Sequence, residues 1–165
     1  MTETRFDTIL DTRLGRIGVR MSGGAVTELE FLALAAQAGP VSGNGDAASV
    51  RSVATRIESY LRDPKTVFDL PLAPRGSEFQ RRVWAALRAI PSGEVMTYGK
   101  LARQLGSGAR AVGNACRNNP IPLLIPCHRV VAANGLGGYS GATEGPGIGL
   151  KRWLLRHEGA IRATD

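Results

Sequence analysis

Apolar and polar residues alternate along the first thirty positions of this chain, and the period then lengthens. Residues 5–10, 17–21 and 26–31 place hydrophobic side chains at every second position, with Gly15 and Ser22-Gly23-Gly24 between them. A period of two punctuated by glycine predicts short strands in an antiparallel meander. A loop is expected at 37–46. Val50, Val53, Ala54, Ile57, Tyr60 and Leu61 then recur at helical spacing, which predicts a helix over 47–61 ended by Asp63-Pro64. Residues 68–72 suggest one more strand, and Pro74-Arg75-Gly76 marks a boundary.

Beyond the boundary the pattern is helical. Ser77 with Gln80 three positions on has the form of a capping box, opening a helix through Val83, Trp84, Leu87 and Ile90 that Pro91-Ser92-Gly93 stops. Thr97 is placed to cap a helix over 98–105. Gly106-Ser107-Gly108 turns the chain, and 109–118 predicts a second helix before Asn119-Pro120. Two short helices joined by a glycine-containing turn form a helix-turn-helix signature. Residues 151–158 predict a last helix. The expected fold is α+β: a small N-terminal lobe over 1–74, with an antiparallel sheet and a helix, then a mostly helical C-terminal domain over 77–165.

With 165 residues the chain is long enough to bury a core, and its 43% hydrophobic share is ordinary for a globular protein. No apolar run is long enough for a membrane span. Residues 1–7 lack the basic segment and apolar stretch of a signal peptide, so a cytoplasmic location is expected. The net charge of +7 is unevenly placed: nine Lys/Arg face nine Asp/Glu in residues 1–76, and twelve face five in 77–165. Such asymmetry suits a polyanionic partner, most simply nucleic acid.

Only two cysteines are present, Cys116 and Cys127, at no metal-ligand spacing, and no Cys or His precedes residue 116. Neither a metal site nor a cofactor is expected. Cys127 sits beside His128 in an apolar stretch stiffened by Pro120, Pro122 and Pro126. A thiol does its strong chemistry as thiolate, which a nearby base or cation favours. Proline before the cysteine fixes the backbone and predicts a presented sulfur. If the segment is extended, adjacent side chains diverge and a direct thiol–imidazole contact is disfavoured, leaving a bridging water as the link. The bland alternative is a buried cysteine acting as a small hydrophobe.

The wider string argues against that alternative. Residues 110–122 (RAVGNACRNNPIP) running into Pro126-Cys127-His128-Arg129 resemble the O6-alkylguanine-DNA alkyltransferases, as do FQRRVW at 79–84, GEVMTY at 93–98, GYSG at 138–141 and KRWLLRHEG at 151–159. The resemblance covers 77–159 in one order. It implies that Cys127 takes an alkyl group from O6 of guanine irreversibly, once per molecule. It assigns His128 and Glu158 to thiol activation, and Asn119 to tying the turn after the recognition helix to the cysteine segment. Tyr98 would donate to the departing guanine, while Tyr139 and the main chain at Ser140 would wall the pocket. The second helix of the pair, with Ala111, Gly113 and Ala115, would lie in the minor groove of double-stranded DNA, and Arg110 would fill the space of the expelled base.

Extrusion has a geometric reason. Guanine O6 faces the major groove, so a protein on the minor-groove side reaches it only by rotating the nucleotide out of the stack. Arg129 is expected to support local structure, Cys116 to be a small core residue and His157 to be exposed. The stretch 142–150 is longer than in relatives and, with Gly145, Gly147 and Gly149, reads as a flexible loop beside the pocket. A monomer that clusters on DNA is the expected solution state. The competing readings are a non-catalytic lesion sensor, which would lack the reactive cysteine, a helix-turn-helix regulator with a redox thiol, and a cysteine hydrolase.

Overall fold

The computed structural model describes residues 6–32, 47–139 and 146–162. The chain divides into two compact units, Met1–Arg75 and Gly76–Asp165. In the first, β1 (Thr8–Thr12), β2 (Gly15–Ser22) and β3 (Ala25–Phe31) form an antiparallel sheet in that order, and α1 (Ala47–Arg62) follows. The register sets Thr8 opposite Val19 and Ile17 opposite Phe31. Ile17, Val19, Val26 and Leu29 are buried, as are Val53, Ile57 and Tyr60 of α1, so the alternation and the stripe mark the core faces they suggest. The first strand begins later than the alternation implies.

Residues 68–72, expected as a strand, are not one. Leu72 makes a single parallel bridge with Val26, and the N–H of Val26 donates to Pro71 O at 2.9 Å. Pro71 and Pro74 offer no N–H, so the ladder cannot extend.

The second unit is built from α2 (Glu78–Arg88), α3 (Tyr98–Leu105), α4 (Ala109–Arg117) and α5 (Pro146–His157), with two-residue parallel strands β4 (Met96–Thr97) and β5 (Val130–Val131). The caps are those the sequence names. Ser77 and Gln80 form the reciprocal box on α2, and Thr97 Oγ1 accepts from Lys100 N on α3. Gly106, at φ +65, takes the left-handed conformation that ends α3. Trp84 on α2 is 1% exposed and donates its indole N–H to Ala115 O at 2.8 Å. This satisfies one of the carbonyls at the C-terminal end of α4 that has no helical partner.

The last helix is longer than expected. It starts at Pro146 and ends at His157, so 146–150, anticipated as loop, is its first turn. Pro146 opens it because proline is pre-set for the first helical position. Gly147 is buried and Gly149 helical rather than loose. Residues 142–145 of the anticipated loop, and Ser140, lie outside the described residues.

Candidate active site

Residues 121–130 are buried without a break. Asn119 organises their entry: its Oδ1 accepts from Ile121 N and its Nδ2 donates to Ile125 O, both at 2.9 Å. Leu123 takes φ +76, a left-handed conformation that costs a side-chain-bearing residue about 1–2 kcal/mol and closes the tight turn between Pro122 and Ile125. The chain then enters a short 3-10 turn, Cys127–Arg129, in place of the expected extended segment. Three residues per turn send the Cys127, His128 and Arg129 side chains in three directions. One stiff turn therefore serves three separate contacts.

His128 is fully buried, and its Nε2 lies 2.7 Å from Glu158 Oε2. Glu158 stands just past the end of α5 and is 8% exposed, so it is no surface acid. Its Oε1 accepts from Arg129 Nε at 2.9 Å and its Oε2 from Arg129 Nη2 at 3.1 Å. Arg129 Nη1 also donates to Ile90 O at 2.6 Å. Burial alone would raise the Glu158 carboxyl, but the hydrogen bonds of His128 and Arg129, the Arg129 charge and, in the acid range where the ring is protonated, the His128 charge outweigh it and bring the pKa down to about 2. Burial lowers the His128 pKa, with Arg129 and Lys151 acting the same way against Glu158, so the resting imidazole is neutral. His128 Nδ1 has no hydrogen-bond partner among the described protein atoms.

The sulfur itself departs from expectation. Cys127 is 3% exposed rather than presented, because it is threaded through the core between Ile125 and Val130. Burial raises its pKa, and the Asn119 side chain, the Lys151 charge and the local backbone only partly offset this. The resting group is a thiol. Cys116, 6% exposed, is pushed up to about 12 by burial and by Cys127, in keeping with a core role. Tyr98 is likewise raised to about 12, chiefly by burial, so its phenol keeps its proton.

Lys151 received no role from its place in the sequence, yet it is fully buried. Its ammonium donates to Val130 O at 2.8 Å and Gly138 O at 2.9 Å, and lies 5.9 Å from the centre of the Tyr98 ring. It thereby joins the cysteine segment to the stretch before Tyr139, which is 2% exposed. Burial lowers its pKa to about 8, with the two thiols acting in opposition. One signal was legible: Ile148, Lys151, Leu155 and Glu158 share one face of a helical spacing, so two charges fall on a core stripe. His157, expected to be exposed, is half-buried and stacks on Trp153 with ring centroids 4.8 Å apart.

On α4, Arg110, Asn114 and Arg117 are exposed, and Ala111 and Gly113 are half-buried with open space beside Gly113. Ala115 does not share that face. It is 2% exposed, turned inward beneath the Trp84 contact. The thin face offered to a partner thus ends before Ala115.

Residues 78–160 match the family model described as the 6-O-methylguanine DNA methyltransferase, DNA binding domain. A methylated-DNA–protein-cysteine methyltransferase of Mycobacterium tuberculosis is 38% identical over 94% of this chain and 93% of that protein. One from Shigella flexneri is 48% identical over 64% of this chain, and the matched stretch spans only 61% of that relative's length. Among solved structures, the M. tuberculosis O6-methylguanine methyltransferase superposes with TM-score 0.77 at 36% identity, covering 98% of this chain and 94% of that one. A structure of the M. tuberculosis protein in complex with DNA gives TM-score 0.77 at 35% identity, over 94% and 93% of the two chains. The chain belongs to the methylated-DNA–protein-cysteine methyltransferase family.

Proposed function

We propose that this protein repairs DNA by taking the alkyl group of O6-alkylguanine onto Cys127, irreversibly and once per molecule. The observation that carries the reading is a buried Cys127 in the same short turn as His128, whose neutral imidazole is held at Nε2 by the ionised Glu158 carboxylate. With Nε2 committed to Glu158, Nδ1 is the nitrogen able to accept the thiol proton, through a water. The thiolate then attacks the alkyl carbon, the carbon–O6 bond breaks, and the guanine leaves as an anion that the Tyr98 hydroxyl stabilises by donating a hydrogen bond. The thioether formed is not cleaved by water, which ends the reaction for that molecule.

A raised thiol pKa is compatible with this chemistry. The thiolate need exist only when substrate is seated, and Lys151 and Asn119 favour it at that moment. Because Cys127 is buried, the target base has to pass beyond the protein surface to bring its alkyl carbon within about 3–3.5 Å of the sulfur. That requirement fits a nucleotide rotated out of the duplex. Arg110, exposed in the first turn of α4 with Ala111 and Gly113 beside it, is assigned to the DNA side, with α4 in the minor groove. Tyr139 walls the pocket with the main chain at Ser140. Residues 77–165 carry binding and transfer, and 1–74 act as support. The protein is placed in the cytoplasm as a monomer that can cluster on DNA.

The test is repair of duplex carrying O6-methylguanine. Wild type restores guanine, and Cys127→Ala leaves the lesion in place. Arg110→Ala slows duplex repair while sparing transfer from free O6-benzylguanine. Equal losses on both substrates would remove Arg110 from the extrusion step, and repair by Cys127→Ala would remove the nucleophile.

A further inference from the structure

Arg129 shares one carboxylate with His128. Glu158 Oε2 accepts from both His128 Nε2 and Arg129 Nη2, while Oε1 accepts from Arg129 Nε, so the guanidinium grips the acid with two parallel bonds. Its third contact, Nη1 to Ile90 O, anchors the fork to the turn after α2. That turn also runs close to the main chain of the acid, since a Cβ at Gly93 would lie 3.2 Å from the Glu158 backbone carbonyl. The carboxylate is therefore gripped by a guanidinium that is itself anchored to a second element.

We infer that Arg129 is a positioning residue for alkyl transfer: it fixes Glu158 as an ionised partner of His128 Nε2, so that Nδ1 remains the nitrogen open to the Cys127 proton. The inference rests on the transfer reading above. Charge balance supplies the reason. A guanidinium does not deprotonate in proteins, so it compensates the buried carboxylate permanently. Without it, compensation of Glu158 falls to its other side-chain partner, His128, which would then be drawn to bind protons at both nitrogens and lose its basic site. The groups around the imidazole are Glu158 beyond α5, Lys151 on α5, and Cys127 and Arg129 on its own turn. Tyr98 and Cys116 complete the set around the sulfur. Arg129 and Lys151 oppose protonation of the ring, and Glu158 favours it.

Nitrogen-15 NMR of the intact protein tests this directly, as only two histidines need assignment. Wild-type His128 should be neutral at pH 7 with its proton on Nε2, and Arg129→Gln should take up the second ring proton at a higher pH than wild type. Transfer from O6-benzylguanine, followed against pH, should show the acid limb of Arg129→Gln moved up by about one unit, a loss that approaches about tenfold on the acid side and that alkaline pH recovers. Arg129→Lys keeps the charge but not the fork, and should restore the limb without the full rate. A wild-type His128 protonated on Nδ1 at pH 7, or an Arg129→Gln rate reduced by one factor at every pH, overturns the inference. If the Gln variant does not fold, the wild-type tautomer and the Lys variant decide. A wild type that takes no benzyl group overturns the transfer reading instead, and the tautomer is measured independently of it.

Discussion

Replacing Glu158 by Gln tests the buried cluster by its stability. The carboxyl has its pKa lowered from 4.5 to about 2, and its side chain is fully buried against His128 and Arg129. A depressed acid contributes stability that is complete above its unfolded pKa and is lost as pH falls through its folded one. At 1.36 kcal/mol per unit, the shift corresponds to about 3 kcal/mol at pH 7. Removing one partner of a buried ion pair costs about 3–5 kcal/mol by a separate line of argument, since Arg129 is left without its carboxylate. Two routes thus agree. For a protein of this size the loss lowers Tm by roughly 6–12 °C. Both tryptophans, Trp84 and Trp153, lie in the Gly76–Asp165 unit, so urea unfolding followed by their fluorescence reports on the unit that holds the cluster. The gap between wild type and Glu158→Gln should be full at pH 7, fall below half by pH 3 and nearly close at pH 2. A gap that is the same at pH 3 as at pH 7, or under about 1 kcal/mol at pH 7, would refute the reasoning.

Three further substitutions probe the parts around it. Gly137 sits at φ +74, and a Cβ there would lie 3.0 Å from the Tyr98 ring and 3.2 Å from Ala132 N, so Gly137→Ala should push Tyr98 aside. Transfer from O6-benzylguanine should fall while duplex binding by gel shift holds, and an unchanged rate would free Tyr98 of its assigned role. Trp84→Phe leaves Ala115 O without its donor and empties part of the buried indole site, costing at least about 1–3 kcal/mol in urea unfolding. A cost near zero would show that the bond does not hold α4. Lys151→Met removes the cation that favours the Cys127 thiolate, so transfer at pH 7 should slow by about tenfold for each unit by which the thiol rises. An equal or faster rate would show that the charge does not assist the sulfur.

Much of this architecture was legible in the residues, and what was not has physical causes. Ser77 with Gln80, Thr97 and Gly106 mark helix ends because their side chains, or the lack of one, meet unpaired backbone groups locally. Alternation at 17–31 reveals the sheet faces because burial there depends on the pleat alone. Strands β4 and β5 carry no such signal: two residues cannot show a period, and their pairing joins Met96 to Val130 across the chain. The 3-10 turn at Cys127 was hidden for a similar reason, being set by Asn119 and the left-handed Leu123 rather than by the turn's own residues. Pattern also extended the small-residue stripe of α4 to Ala115, which is buried where α4 meets α2 at the Trp84 bond. Cys127, His128 and Glu158 were readable as residue types, but the second claim on Glu158, from Arg129, emerges only when α5 is packed against the cysteine turn.

On the proposed chemistry, one sulfur takes the alkyl group and keeps it. The direct measurement is the intact mass of the protein, with peptide mapping, after incubation with excess duplex carrying O6-methylguanine. The mass should reach a plateau at one added methyl group per chain, located on Cys127. A plateau above one, a methyl group on Cys116, or continued turnover with the mass unchanged would contradict it.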